Sequence, residues 1–221
     1  MKVIIFGATG MVGQGALNAC LRDPDVSQLL LVGRTAAGRT DARINELVTS
    51  DLFDLNSRAV DLSGYDACFF CLGVSSAGVD EASYTKLTHD LTLSVATTLC
   101  RLNPEMTFIY LSGAGADSAE KSRTMWARVR GGVENALQRL PFKAVYVFRP
   151  SLIQPLDGIR SKTRSYRLAY DVMGPLLTPL RLLMPKVVLT TDVMGRAMIA
   201  AARKGAPKAV LEAADIYALT K

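Results

Sequence analysis

The residues best placed to do chemistry come at the very start of the chain. Gly7-Ala8-Thr9-Gly10-Met11-Val12-Gly13 has the spacing G-x-x-G-x-x-G, and it lies between the apolar run Val3–Phe6 and a stretch of helical spacing from Met11 to about Leu21. Each glycine answers a separate physical need. Gly7 permits a tight turn, Gly10 lets backbone approach a pyrophosphate, and Gly13 lets helix and strand pack closely. A helix start adds unpaired N–H groups and the positive end of its dipole, both of which attract phosphate. Thr9, Met11 and Val12 complete the segment, which reads as a dinucleotide cradle. Without a ligand it would be only a tight strand-to-helix turn.

The end of the next apolar run, Leu29–Val32, selects the cofactor. An NAD site usually places Asp or Glu there, to accept from the ribose 2′-OH. This chain has Leu31-Val32-Gly33-Arg34, and no carboxylate follows until Asp41. Arg34 can make a charge-assisted contact with a 2′-phosphate, and Arg39 and Arg43 are further candidates in the same loop. The expectation is NADP rather than NAD. Other chemically able residues are set aside. Cys68-Phe69-Phe70-Cys71 has CxxC spacing, but it lies in an apolar strand where alternate side chains face opposite sides. Thiols pointing apart hold neither metal nor disulfide, so no metal site is expected. Ser112-Gly113-Ala114-Gly115 lacks the G-x-S-x-G pattern of a hydrolase. His89, the single histidine, reads as structural.

The elements that must position these residues follow an alternating rhythm. Apolar runs at Val3–Phe6, Leu29–Val32, Leu47-Val48, Ala67–Leu72, Thr107–Leu111 and Ala144–Phe148 read as strands. Helices are expected from Met11, over Tyr84–Leu102, over Ser122–Leu140 and over Thr191–Arg203, with Asp23-Pro24, Asn103-Pro104 and Pro141 as stops. Strands alternating with helices mean βαβ units: an α/β, Rossmann-like, doubly wound parallel sheet. The chain reads as one domain, with residues 1–150 as the nucleotide-binding core and residues 151–221 as a small C-terminal cap plus a last helix.

Composition narrows the function classes. A chain of 221 residues that is 49% hydrophobic and 21% charged can bury a sizeable core and is not disordered. Four scattered cysteines do not make a disulfide framework. No apolar run reaches the roughly 18 residues of a membrane span. The N-terminal apolar run goes straight into the glycine turn, so it reads as a strand rather than a signal peptide, and a cytoplasmic location is expected. The formal charge of +6 is uneven: residues 1–117 hold 8 Lys/Arg against 13 Asp/Glu, and residues 118–221 hold 18 against 7, for net charges of −5 and +11. With no nucleic-acid module in the basic half, the expected partner is a small molecule, anionic in one reading. The apolar stretch Leu176–Met184 suits a packed cap or a dimer contact, and the expected state is monomer or homodimer.

Taken together, Gly7–Gly13, Leu31–Arg34, Cys71-Leu72-Gly73, Tyr110–Asp117 (YLSGAGAD) and Val147–Pro150 resemble the short-chain dehydrogenase/reductase superfamily. More narrowly they resemble its atypical, Tat-interacting-protein-like and epimerase-like branch. The resemblance runs in order from Met1 to about Ile153 and more weakly beyond. It implies that Asp51 and Leu52 lie by the adenine and that Cys71, Leu72 and Gly73 line the adenosine ribose. It also implies that the segment at Pro150 passes the nicotinamide. The family's chemistry uses a Ser that orients the substrate oxygen and a Tyr-x-x-x-Lys pair that moves the proton and holds the ribose. Ser112 fits the first role, but the second segment reads Trp126-Ala127-Arg128-Val129-Arg130. An indole N–H donates a hydrogen bond but does not titrate near neutrality, whereas Arg130 stays charged and can still hold ribose. Tyr166 and Tyr170, four residues apart amid Arg160, Lys162, Arg164 and Arg167, are candidates for a relocated acid. Two functions follow: an NADP(H)-dependent oxidoreductase acting on a small carbonyl, quinone or nucleotide-sugar-like compound, or a non-catalytic NADP(H)-sensing regulatory protein.

Overall fold

The computed structural model describes residues 1–159 and 178–221. Strands β1 (Lys2–Phe6), β2 (Gln28–Gly33), β3 (Ile44–Val48), β4 (Ala67–Phe70), β5 (Thr107–Leu111) and β6 (Ala144–Arg149) are followed by β7 (Leu152–Gln154), β8 (Val188–Thr190) and β9 (Val210–Glu212). Seven of them form one sheet in the order 3-2-1-4-5-6-9, with every neighbouring pair parallel. β7 and β8 pair separately, also in parallel. Among the described residues the helices with both ends defined are α1 (Met11–Arg22), α2 (Ala59–Leu62), α3 (Glu81–Thr85), α4 (Leu91–Leu102), α5 (Met125–Gln138), α6 (Thr191–Lys204) and α7 (Ala213–Ala218), and residues 178–183 are helical as well.

The central strands are apolar without interruption because both faces of the sheet are covered. Along β1, Val3 and Ile5 pack with Ala16, Leu17, Met194 and Met198 of α1 and α6, while Ile4 and Phe6 face Val95 and Leu99 of α4 and Val133 and Leu137 of α5. Cys68 is buried in the second of these cores and Cys71 packs against the first, so the two thiols are on opposite faces. Burial pushes the Cys71 thiol up to about 12, which leaves it protonated and unreactive at neutral pH. α1 and α6 touch almost backbone to backbone: a Cβ on Gly195 would lie 2.7 Å from the Gly15 carbonyl oxygen, and one on Gly15 would lie 2.5 Å from that of Thr191.

Several boundaries differ from the sequence reading. β3 begins at Ile44 and runs five residues, longer than the Leu47-Val48 core its composition suggests. The helix expected over Tyr84–Leu102 starts earlier, at Glu81, where the Asp80 side chain accepts the Ser83 N–H. It then passes through one wider π-type turn at Lys86–Asp90 before α4. The helix expected from Ser122 starts instead at Met125. Asp117 explains the delay, because its carboxylate gathers the N–H groups of Ala119, Lys121 and Ser122 and holds this stretch as a loop. Beyond residue 177, β9 extends the main sheet beside β6, and α6 is part of the core under α1. A three-residue strand such as β9 carries too little periodicity to be seen in the sequence.

Candidate functional site

The chain order of the sheet creates the site. From β1 the chain winds outward through β2 and β3, then returns to the other side of β1 as β4. Successive helices therefore leave in opposite directions at the carboxyl ends of β1 and β4, which opens a crevice where open α/β sheets bind their ligands. Here the crevice is a cavity of about 730 Å³ lined from the turn after β1, the end of β2, part of β3, the ends of β4 and β5, and Arg130 of α5.

The turn after β1 meets the demands of a phosphate cradle. Gly7 has φ +78°, a conformation that L side chains rarely adopt, and a Cβ there would lie 2.9 Å from the Cys71 carbonyl oxygen. Gly10 lies at the start of α1 in extended geometry, and its N–H donates to the Gly7 carbonyl at 2.9 Å. A Cβ on Gly13 would sit only 2.1 Å from the Gly7 carbonyl oxygen, so helix and turn are packed as tightly as backbone allows. Gly7, Thr9, Gly10, Met11 and Val12 line the cavity. Gly13 does not; it acts from behind the turn. A groove that a Cβ would fill, at the N-terminus of a twelve-residue helix without an acidic residue in its first turn, fits a pyrophosphate.

Toward β2 the wall carries Arg34, Thr35 and Ala37, and toward β3 Glu46 and Val48. Arg34 is exposed at the cavity edge. Its two sequence companions serve other purposes. Arg43 donates to the carbonyls of Leu21, Asp23 and Val26 and pairs with Asp41, so it closes the C-terminal end of α1 instead of facing the cavity. Arg39 donates to the Asn18 side chain of α1 at 3.0 Å, outside this cavity. Leu52 lines the cavity, whereas Asp51 does not: its carboxylate accepts the Phe53 N–H. Cys71, Leu72 and Gly73 line the side formed by β4.

The inner end is built around Arg130. Its Nε donates to the Tyr84 hydroxyl at 3.1 Å and its Nη1 to the Leu111 carbonyl at 3.4 Å. A Cβ on Gly73 would be 3.7 Å from Nη2, and one on Gly113 would be 3.9 Å from Nη1, so the guanidinium spans the ends of β4 and β5 beside two side-chain-free positions. Burial raises the nearby Tyr110 phenol to about 12, with the Arg130 cation opposing the rise. That phenol stays protonated at neutral pH. Ser112 lines the cavity but is buried, and its hydroxyl is already donated to the Glu134 carboxylate. Glu134 in turn receives Arg149 through two guanidinium nitrogens. Trp126 lies half-buried with its ring over Gly115 and does not line the cavity; nor does Pro150, whose carbonyl accepts the Ala114 N–H. The structure thus brings together the glycine turn, Arg34, Leu52, Cys71-Leu72-Gly73, Ser112 and Arg130, and leaves Asp51, Trp126 and Pro150 outside the lining. Tyr166, Tyr170 and the basic run around them fall outside the described residues. Glu46, Tyr84, Tyr110 and Glu134 escape the sequence reading. Only Glu134, four residues after Arg130 on the same helix face, has a signal in the spacing.

Comparison with known proteins adds kinship. No family model matches the chain. "Protein fmp52, mitochondrial" of Emericella nidulans is 29% identical over 170 residues, covering 74% of this chain and 70% of that protein. Protein HTATIP2 of Rattus norvegicus is 29% identical over 155 residues, covering 69% of this chain and 62% of its own length. The chain therefore spans roughly two thirds of these relatives. Among solved structures, the Bordetella bronchiseptica enzyme WbmF in complex with NAD+ superposes with a TM-score of 0.68 at 15% identity, covering 99% of this chain and 76% of that one. The carbonyl reductase Sniffer of D. melanogaster gives 0.65 at 12% identity, covering 97% of each chain. At these identities the structural matches establish the fold.

Proposed function

We propose that this chain, with its Rossmann-like sheet and its similarity to fmp52 and HTATIP2, is an NADP(H)-binding oxidoreductase of the atypical short-chain dehydrogenase/reductase type, acting on a small carbonyl, quinone or nucleotide-sugar-like compound. One observation carries the reading: a single cavity at the sheet's switch point has a glycine cradle at its centre, Arg34 at one end and Arg130 at the other. The WbmF structure's NAD+ and the reductase name of Sniffer point the same way.

The residues divide the work by position. The α1 N-terminus and the Gly7–Gly10 turn bind the pyrophosphate, and Arg34 binds a 2′-phosphate. Val48 and Leu52 flank the adenine. A nicotinamide cofactor held there would supply hydride-transfer chemistry. Arg130, held by Tyr84, offers its remaining N–H groups to the ribose hydroxyls or to a substrate oxygen, which it polarises without giving up a proton. Ser112 has committed its own proton to Glu134, so toward the cavity it acts as an acceptor. The two phenols near the inner end, Tyr84 and Tyr110, do not line the cavity, and the lack of a general acid commonly lowers rates by about 10²–10⁴-fold.

A second reading, a non-catalytic NADP(H) sensor, is favoured by Trp126 facing Gly115 and by the committed Ser112. One experiment orders the two. NADPH fluorescence should rise or shift on mixing with the protein; if it does neither, both readings fall. NADPH oxidation is then followed across a panel of carbonyls and quinones, where slow turnover by the wild type supports the oxidoreductase. Turnover that appears only in Trp126→Tyr/Arg130→Lys supports the sensor. Arg130→Ala is expected to weaken NADPH binding about tenfold, equivalent to roughly 1.4 kcal/mol, as read by the same fluorescence titration. An unchanged affinity would remove Arg130 from the site. We further propose a reducing compartment such as the cytoplasm, which suits four free cysteines, three of them buried. No described helix is long and apolar enough to cross a membrane.

A further inference from the structure

We propose that Glu46 sets the cofactor choice of the cavity, keeping NAD a ligand beside NADP by presenting a carboxylate where the adenosine ribose must lie. The proposal rests on the dinucleotide reading above. The end of β2 carries no acid, but the sheet register brings one in from the neighbouring strand. Glu46 pairs with Leu31, two residues before Gly33, and shares its face of β3 with Val48, which also lines the cavity. From there the carboxylate reaches the loop after β2, where one oxygen accepts the Ala37 N–H at 3.1 Å. A carboxylate has two oxygens and about four lone-pair sites, so this bond leaves acceptor capacity free.

The same short stretch of wall therefore holds two opposite charges, Arg34 and Glu46. They make opposite demands on the ribose. A 2′-hydroxyl can donate to the carboxylate, as it does to the acid that NAD sites usually carry at the end of β2. A 2′-phosphate is drawn to Arg34 but is repelled by Glu46. Because Glu46 is exposed, this repulsion is screened by salt and is modest in size. Glu46 thus opposes the selectivity that Arg34 alone would give. By holding Ala37 it also occupies a backbone N–H that a phosphate could otherwise use.

Glu46→Gln separates charge from anchoring, since the amide oxygen can still accept the Ala37 N–H. NADH and NADPH are titrated by fluorescence against wild type, Glu46→Gln and Arg34→Gln, at low salt and at high salt. In Glu46→Gln, NADPH is expected to bind about tenfold tighter at low salt while NADH binds no tighter, and the gain should shrink at high salt. Arg34→Gln should weaken NADPH and spare NADH. If Glu46→Gln changes both nucleotides by the same factor, or changes neither, Glu46 only anchors the loop and the proposal is wrong. If wild type binds neither nucleotide, the dinucleotide reading itself falls, an outcome that the wild-type titration shows before any variant is compared.

Discussion

Glu134→Ala is expected to lower the thermal unfolding midpoint by roughly 6–20 °C, since breaking a buried ion pair costs about 3–5 kcal/mol and each kcal/mol moves a chain of this size about 2–4 °C. The Glu134 side chain is 2% exposed and that of its partner Arg149 is 12% exposed. Removing the carboxylate strands two groups at once. The Ser112 hydroxyl loses its acceptor, and Arg149 is left with Ser118 and the half-exposed Glu212. Glu134→Gln keeps an oxygen for one partner but turns an amide toward the other, so it should fall between Ala and wild type. A paired replacement, Glu134→Leu with Arg149→Met, should recover at least half of the loss, because a buried pair exchanged for apolar groups of similar volume is often near neutral. Thermal melts by circular dichroism decide the matter. A fall below about 3 °C for Glu134→Ala would mean that the pair contributes no more than a surface one.

That network also marks where the sequence stops being legible. The first βαβ unit can be read because its signals are local: an apolar run, glycines at fixed spacing and a helix that stops at Asp23-Pro24. The parallel sheet follows from the alternation of strands and helices. The inner end of the site depends instead on contacts between segments distant in sequence. Tyr84 reaches Arg130 across 46 residues, and Arg128 of the same helix reaches Glu81 across 47. No spacing rule announces either. Glu46 is invisible for another reason: whether it faces the cavity depends on the β3 register, and shifting that register by one residue would turn it to the opposite face. Arg43 shows the opposite error. Its charge and its loop suit a phosphate, but three carbonyls at and just beyond the end of α1 lie within its reach and claim it. Trp126 stands in the place of a motif residue whose helix here starts at Met125, after Asp117 has tied down the preceding loop. The outer edge of its ring lies against Gly115.

Gly13→Ala and Gly10→Ala differ by one methyl group each and should fail in different ways. At Gly13 the added Cβ would meet the Gly7 carbonyl oxygen at 2.1 Å, the Gly7 carbonyl carbon at 2.7 Å and the Ala8 Cα at 2.9 Å. All three are backbone atoms of the turn, so no flexible side chain can yield. Either α1 moves away from β1 or the turn opens. Overpacking of this kind costs typically about 1–3 kcal/mol, and the same shift misaligns the helix N–H groups with the pyrophosphate. The expected result is a lower melting temperature together with a loss of NADPH affinity on the order of 100-fold or more, equivalent to about 2.7 kcal/mol. Gly10 has φ −78° and ψ 166°, a conformation open to any residue, and its one close neighbour, the Gly7 carbonyl oxygen, would be 3.3 Å from the new Cβ, a tight contact that a shift of a few tenths of an ångström relieves. Gly10→Ala should therefore keep the wild-type melting temperature within about 2 °C while still losing NADPH, because the methyl group stands where the phosphate approaches the backbone. The pair separates two requirements that one glycine motif combines: Gly13 serves the protein and Gly10 serves the ligand. If Gly10→Ala binds NADPH as tightly as wild type, the pyrophosphate does not lie over the turn and the cradle is only a tight corner in the chain.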